Sequence, residues 1–220
     1  MLALEVLAFK SKLRWQAFEE FNREYFALRM ALARHYGYKS MSVQELHEGA
    51  WVEKSVGTMR VVFDMKHIGA VDTLSSRYPQ SAEELETGIV YRNANGAACD
   101  LVTVLTLEGS GSRRLLMLHE CKHTRKPVGD TDTTVNAQDV QVALNKIRSA
   151  LPEVGENIPV NVVVFISNRA FKGGETTSSL AKELDNANLK KTVVIVRDNC
   201  LEYFGPSLAR RFMGYFELPM

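Results

Sequence analysis

The feature that most constrains the fold is a pair of apolar, strand-like runs joined by a short connector. CDLVTVLTL covers residues 99–107, EGSGS covers 108–112 and RRLLMLHEC covers 113–121. Two runs of this kind about a glycine-containing connector are typical of a β-hairpin. We therefore expect the chain to build a sheet around this hairpin.

The second run ends in the segment HECKH, residues 119–123, whose meaning depends on its secondary structure. On a helix, the two histidines and the glutamate match the zinc-peptidase pattern His-Glu-x-x-His. On a strand, Glu120 and Lys122 share one face because side chains alternate. A helix would have to fit between Gly111 and Pro127, and the residue before a proline avoids the α region. The hairpin therefore favours the strand, and the zinc-peptidase alternative lacks an evident third ligand.

Apolar periodicity predicts helices on either side of the hairpin and further strands after it. Large side chains recur at three- and four-residue steps over 12–36, and Gly37 ends that pattern. The same steps predict a helix over 136–151, capped by the asparagine at its start. Nearly unbroken β-branched runs at 160–167 and 192–198 predict buried strands.

These elements are predicted to form a single domain over 1–220. We predict an α/β fold with a mixed central sheet flanked by helices, in the element order α-β-β-β-α-β-α-β. The segment 66–96 carries scattered Gly, Ser, Pro and Asn with weak periodicity. We expect this segment to be an elaborated loop region on the surface, where it could contact a substrate.

Global charge gives little information about binding partners. The chain has a formal net charge of +1 at pH 7, with 45% hydrophobic and 24% charged residues, which is ordinary for a globular protein. Any nucleic-acid surface must therefore be local, and each basic cluster in the sequence is also consistent with an ordinary solvated surface. The clusters are Lys122, His123, Arg125 and Lys126; Lys190, Lys191 and Arg197; and Arg210 with Arg211.

The cysteines and the hydropathy profile favour an intracellular protein that does not enter a membrane. Cys99, Cys121 and Cys200 are odd in number and form no C-x-x-C pair, so we expect reduced core residues. No apolar run approaches the roughly 20 residues that span a bilayer. The first residues also lack the basic segment and cleavage site of a secretion signal.

Two carboxylates are predicted to meet at one end of the hairpin. Asp100 begins the first strand and Glu120 lies near the end of the second, and strands of similar length bring these ends together. Like charges at close range repel, so such a pair usually needs a cation between them. Oxygen ligands with room for water favour Mg²⁺ or Mn²⁺. Taken singly, an aspartate after a loop is most often a turn residue, and a Glu-x-Lys pair is most often an exposed strand face.

A third acid can approach the same region from the first helix. On a helical wheel, Glu19 lies at the edge of the apolar stripe, while Glu20 and Glu24 point toward solvent. The large apolar residues of the stripe are expected to form core rather than a base-stacking platform. They include Trp15, Phe18, Tyr25, Leu28 and Leu32.

The spacing of these groups resembles the PD-(D/E)xK nuclease superfamily. Asp100 matches the first acid of that motif, and Glu120 and Lys122 match its second half after nineteen intervening residues. The dipeptide before Asp100 is Ala-Cys, where the name-giving proline is expected. The segments RWQAFEEFNREYFAL, LHEGA and GAACDL further resemble the nuclease-like domains of Crinkler effectors and of trypanosome retrotransposon hot-spot proteins.

The resemblance implies a restriction-endonuclease-like core and a Mg²⁺-dependent endonuclease that hydrolyses DNA phosphodiester bonds. Lys122 would orient or help deprotonate the attacking water. Gln141, on the second helix beside the apolar positions, would be a further catalytic residue. The implied metal ligands are Asp100, Glu120, the backbone carbonyl of Cys121 and Glu19.

The resemblance also implies DNA as partner, an NTPase domain in a longer parent protein and a nuclear location, and it is compatible with a homodimer. A second interpretation is a catalytically weak nuclease-like domain that serves as a DNA- or protein-binding effector module. In either case, His119 and His123 are expected to pack or to contact phosphate rather than to bind zinc.

Overall fold

The computed structural model describes residues 14–71, 85–93, 97–109, 113–123, 134–150, 160–174 and 176–214. Its helices are α1 (Arg14–His35), α2 (Val43–Leu46), α3 (Lys54–Gly57), α4 (Ala137–Ala150), α5 (Thr177–Asn186) and α6 (Cys200–Gly214). Its strands are β1 (Ser40–Ser42), β2 (Trp51–Val52), β3 (Arg60–Val62), β4 (Gly69–Val71), β5 (Ile89–Arg92), β6 (Leu101–Leu107), β7 (Arg114–Lys122), β8 (Thr134–Val135), β9 (Val160–Ser167), β10 (Ala170–Phe171) and β11 (Thr192–Ile195).

The sheet is mixed, as predicted, and its order is β1-β3-β6-β7-β9-β11-β2. β6 and β7 pair antiparallel, from Leu101 opposite His119 to Thr106 opposite Arg114. β9 then pairs parallel to β7, and β11 parallel to β9, with α4 and α5 as the helices between them. The predicted hairpin is confirmed, and β7 lies at the centre of the sheet with a partner on each edge.

Helices cover both faces of the sheet and enclose two apolar clusters. One cluster packs α1 and α6 against the sheet through residues such as Phe26, Met117 and Phe204. The other packs α4 and α5 against the opposite face through Leu144 and Leu184. β7 contributes to both clusters because its successive side chains alternate between the faces. This double burial explains why its sequence is an almost continuous apolar run.

The first helix ends where the sequence predicted, but its buried faces differ from the wheel. Gly37 has a φ of 81°, and its N–H donates to the Arg34 carbonyl at 3.0 Å, which closes the helix with a left-handed residue. The prediction that Glu20 points to solvent is wrong, since Glu20 is only 8% exposed and lies 3.9 Å from the Arg23 guanidinium. Leu32, placed in the apolar stripe, is 43% exposed. The spacing of apolar residues cannot predict which charged residues are buried through pairing with each other.

The segment predicted as an elaborated loop region contains sheet in its described part. β4 and β5 both lie within 66–96, and they pair parallel to each other. β5 also pairs antiparallel with the first half of β6. These strands are only three and four residues long, so a period of two has too few repeats to stand out from the Gly- and Ser-rich sequence around them.

Local capping fixes the start of α4, the helix that faces the end of β7. The side-chain oxygen of Asn136 accepts from the Asp139 N–H at 3.1 Å, and the Asp139 carboxylate accepts from the Asn136 N–H at 2.8 Å. This reciprocal pair confirms the predicted asparagine cap.

Among the described residues, no helix combines the length and apolar character that a membrane crossing requires.

The strand state of β7 decides between the two interpretations of HECKH. His119 and His123 are four positions apart along an extended chain, which separates them by roughly 13 Å at about 3.3 Å per residue. One zinc ion cannot reach both. The zinc-peptidase alternative is therefore excluded by the backbone itself.

Close backbone approach ties the region before β2 to α6. Gly49 has a φ of 89°, and a Cβ atom at this position would overlap the backbone of Glu202 and Tyr203. α6 is kinked two residues after Tyr203, at Gly205, which is followed by Pro206. Glycine at position 49 thus allows the helix backbone to sit directly against the loop.

Candidate active site

The aligned ends of the hairpin hold the Asp100 carboxylate beside β7. The Asp100 N–H donates to the His119 carbonyl at 2.8 Å, which continues the pairing of the two strands. The Cys121 N–H donates to Oδ2 of Asp100 at 2.6 Å. Because the N–H and C=O of a strand residue point to the same neighbour, the Cys121 carbonyl also lies on this edge. The sequence-predicted alignment of Asp100 with Glu120 is confirmed.

Glu120 is a buried carboxylate held by two lysines. Its side chain is 1% exposed, and Oε1 lies 2.5 Å from the Lys122 Nζ and 3.1 Å from the Lys146 Nζ. Both lysine side chains are about half exposed. Within the part of the chain that the structure describes, Oε2 is buried and has no hydrogen-bond partner. A buried carboxylate with one unpaired oxygen is costly, which favours a ligand at that oxygen.

Three carboxylates form one electrostatic cluster. Burial, followed by the charge of Glu120, raises the pKa of Asp100 to about 6. Burial also raises the pKa of Glu19 to about 8, with further contributions from Asp100 and Glu120, while Arg92 on β5 opposes the shift. Mutual repulsion of this kind marks a place where a cation would be stabilised.

The structure brings together four of the predicted side chains but not the fifth. Glu19, Asp100, Glu120 and Lys122 belong to the cluster. The Gln141 amide instead donates to Oδ1 of Asn145 at 2.9 Å, along the outer surface of α4.

Lys146 is the α4 residue that contacts Glu120, and no sequence pattern had singled it out. On a helical wheel, Lys146 and Gln141 flank the apolar stripe on opposite sides, each about 110° from its centre. The sequence alone gives no reason to prefer either residue as the one that faces the end of β7. Only the direction in which α4 crosses the sheet, which tertiary packing sets, places the Lys146 side toward β7.

The donor groups suit a hard divalent cation, although they do not already form a closed coordination shell. Within the described ranges, no three histidine, cysteine or acidic side chains lie close enough to hold one metal ion. The ammonium groups of Lys122 and Lys146 occupy one oxygen of Glu120. Its other oxygen, the repelling carboxylate of Asp100 and that of Glu19 are oxygen donors of the type that Mg²⁺ and Mn²⁺ prefer.

The other groups predicted from the sequence lie in the core, on the surface or outside the described residues. Phe18 is buried and its ring centroid lies 5.4 Å from that of His123, as expected for core packing. Lys190, Lys191 and Arg197 are exposed. Arg125 and Lys126, together with the side chains of Trp15, Arg210 and Arg211, lie outside the described residues. The predicted burial of Cys99, Cys121 and Cys200 is confirmed, and all three are free thiols.

Two histidines are buried on the α1 side of the sheet, around the ring of Phe26. Its centroid lies 5.1 Å from His119 and 5.2 Å from His47. Both ring nitrogens of His119 are buried without a hydrogen-bond partner among the described residues. Burial lowers the pKa of His119 to about 3. His47 contacts the Tyr203 hydroxyl through Nδ1 at 3.3 Å, and burial lowers its pKa as well, with the charge of Arg29 adding to the shift.

We expect the His119→Met variant to lose less stability in acid than the wild type. The unfolded state takes up a proton on His119 below the ordinary pKa of 6.5, whereas the folded state resists it down to about 3. Folding is therefore penalised progressively as pH falls from 6.5, by about 1.4 kcal/mol per pH unit. The free energy of unfolding of both proteins is measured with urea at pH 7.5 and at pH 5. The difference in stability between the two proteins should change by roughly 2 kcal/mol between these pH values. Parallel pH dependences would mean that the folded state admits the proton.

No family model, curated protein or solved structure matches this chain.

Proposed function

We propose that the chain is a metal-dependent endonuclease that hydrolyses phosphodiester bonds of DNA. The observation that carries this proposal is the cluster of Glu19, Asp100 and Glu120 at the end of two paired strands, with Lys122 against Glu120. Three acids and a lysine at one sheet end, with the pKa values of Glu19 and Asp100 raised, are the groups that metal-assisted hydrolysis of a phosphodiester requires.

The order of the elements supports a restriction-endonuclease-like core, the finer fold that we propose. An antiparallel pair, β6 and β7, carries the acids and the lysine. The chain then passes through α4 and returns as β9, parallel to β7. α1 precedes this unit and contributes Glu19. The same order is implied by the resemblance to PD-(D/E)xK nucleases.

In this proposal, Asp100, Glu120, the Cys121 carbonyl and Glu19 hold Mg²⁺ or Mn²⁺. When bound, the ion supplies Lewis acidity and lowers the pKa of water. Asp100 is fixed for its role by the Cys121 N–H. Lys122, whose ammonium lies at the carboxylate of Glu120, orients the attacking water in this proposal. Lys146 balances the charge of Glu120 from the α4 side.

The direct test is incubation of the purified protein with supercoiled plasmid DNA, with Mg²⁺, with Mn²⁺ and with EDTA. Conversion to nicked circles only in the presence of the metals is the expected result. An unchanged plasmid under every condition, with the protein shown to be folded by circular dichroism, would reject turnover. It would leave the second candidate function.

That second candidate is a DNA-binding module with a nuclease-like fold that lacks turnover. It is favoured by the two ammonium groups that occupy Oε1 of Glu120, where a cation would otherwise be expected. Such a module would shift labelled DNA in a gel without nicking it. An effector role in the nucleus, beside an NTPase domain, belongs to this candidate as to the first.

Lys122→Ala is expected to separate turnover from binding. Removing a group that orients the attacking water should lower the rate of nicking by about a hundredfold. DNA affinity should fall far less, because only one phosphate contact would be lost. That loss should lower the slope of log affinity against log salt by only about one. Single-turnover nicking rates and fluorescence anisotropy measure the two effects separately. Lys182→Ala, which changes an exposed lysine of α5 that belongs to none of the basic clusters, is the control. Equal losses of binding and rate would make Lys122 a phosphate contact only.

A further inference from the structure

A pocket with cationic walls opens beside the carboxylate cluster. Its volume is about 280 Å³, and it lies between the ends of β7 and β9 and one flank of α4. Lys122, Lys146 and Arg169 line it with cationic side chains. Four apolar side chains, among them Phe165, form another wall, and Asp139 and His123 complete the lining. The pocket thus combines a cationic wall with an apolar one at the place where a substrate would extend from the site.

The charge of Arg169 makes this pocket a candidate site for an anion. Lys122 and Lys146 both form ion pairs with Glu120 and also face the charge of Asp100. Asp139 on the pocket wall accepts a hydrogen bond from the N–H of Asn136, the cap residue of α4. Arg169 has no carboxylate partner among the described salt bridges.

The Arg169 side chain provides a second observation that points to a ligand in this pocket. Its backbone is fixed, because its N–H donates to the Ser167 hydroxyl at 3.2 Å and its carbonyl accepts from the Arg197 N–H at 3.0 Å. Its side-chain Nε is buried and has no hydrogen-bond partner in the described part of the chain. An unsatisfied buried donor of a charged group is costly, and an acceptor oxygen from a ligand would remove that cost.

We propose that this pocket binds a backbone phosphate of the DNA strand, on a nucleotide next to the cleaved bond, with Arg169 as its principal contact. This inference rests on the proposed function for the identity of the strand. A guanidinium matches the tetrahedral oxygens of a phosphate with paired N–H donors, and the lysines add charge. The apolar wall accommodates the attached sugar. Asp139 and Val142 form the outer lining, past which the strand continues.

The test measures DNA binding in EDTA, where no cleavage occurs. A labelled duplex and its separate strands are titrated against wild type, Arg169→Gln and Arg113→Gln by fluorescence anisotropy at several salt concentrations. Arg113 precedes β7, at the opposite end of the strand from Glu120, and is the matched control. Arg169→Gln should weaken binding about three- to tenfold and lower the salt slope by about one, while Arg113→Gln should do neither.

A second variant keeps the proposal testable if Arg169→Gln fails to fold. Val142 is 57% exposed and lines the pocket, so Val142→Glu adds a negative charge there without removing core. It should weaken DNA binding more than Ser178→Glu, which places the same charge at an exposed position on α5. Equal affinities for these two variants, or an unchanged affinity in Arg169→Gln, would overturn the phosphate site.

The outcomes separate this inference from the proposed function. Weakened binding by Arg169→Gln without nicking by the wild type would support the pocket and reject the nuclease. Nicking by the wild type with normal binding by Arg169→Gln would do the reverse. If inorganic phosphate raises the melting temperature of the wild type but not of Arg169→Gln, while DNA binds both equally, the pocket binds a free anion and the assignment to DNA is wrong.

Discussion

Asp100→Asn and Glu120→Gln are each expected to abolish metal-dependent nicking, with a loss of at least about a hundredfold in rate. Each change removes one negative charge from the cluster that would hold the cation, while the side chain keeps almost the same shape. The measurement is the single-turnover conversion of supercoiled plasmid at saturating Mn²⁺. Full activity in either variant would show that the carboxylate cluster is not the active site.

The amide variants are chosen because alanine would disturb the structure as well. The Cys121 N–H donates to Asp100, so Asp100→Ala would leave that donor without its partner, at a cost of about 1 to 3 kcal/mol. Asparagine retains an acceptor oxygen. Glu120→Gln likewise retains an oxygen for the Lys146 ammonium. The control is Glu183→Gln, an exposed carboxylate on α5, and urea unfolding should show that all three variants remain folded.

The largest expected loss of stability from a single methyl group is at Gly49. In Gly49→Ala, the new Cβ would overlap the backbone of Glu202 and Tyr203, which cannot rotate away as a side chain could. The positive φ adds about 1 to 2 kcal/mol for any L side chain, and forced overlap typically adds about 1 to 3 kcal/mol. We expect the free energy of unfolding to fall by about 3 kcal/mol, measured from the urea midpoint at constant m-value.

Gly37→Ala is the matched comparison for that change. Gly37 has a similar φ of 81°, but a Cβ atom there would meet nothing within 4 Å. The variant should therefore show only the conformational cost of about 1 to 2 kcal/mol. The difference between the two variants isolates the contact between the loop and α6. Equal destabilisation would mean that the contact relaxes freely.

The long elements could be predicted because their patterns contain many repeats. Strand β9 has the predicted bounds, Val160–Ser167, and α1 ends at His35, two residues before the glycine that the sequence marked as its stop. Asp100 and Glu120 could be placed together because a hairpin with strands of similar length leaves one register. The roles proposed for these residues come only from the resemblance to a nuclease motif. The proximity of their carboxylates follows from the backbone alone.

What the sequence could not give depends on tertiary packing. Lys146 and Gln141 are equivalent on the wheel of α4, and the crossing of the helix over the sheet chooses between them. Glu20 is buried beside Arg23, which lies one turn later on the same helix and also pairs with Glu24 at 2.6 Å. Arg169 follows β9 in a short connection whose role appears only when the end of β7 lies next to it. Each missed feature is a relation between elements that are separate in the chain.

Because all three cysteines are buried, the rate at which each one is alkylated can report how often the structure around it opens. Burial and the neighbouring carboxylates raise the pKa of the Cys121 thiol well above its usual range, and that of Cys99 to about 12. Since only a thiolate reacts with iodoacetamide, the closed molecule is inert to it, and modification reports the fraction of time that a strand end is open. Cys99 and Cys121 flank the acids that would hold a cation, whereas Cys200 lies at the start of α6. The alkylation rates at these thiols therefore measure how far a cation rigidifies the hairpin end, with Cys200 as an internal standard for the rest of the fold.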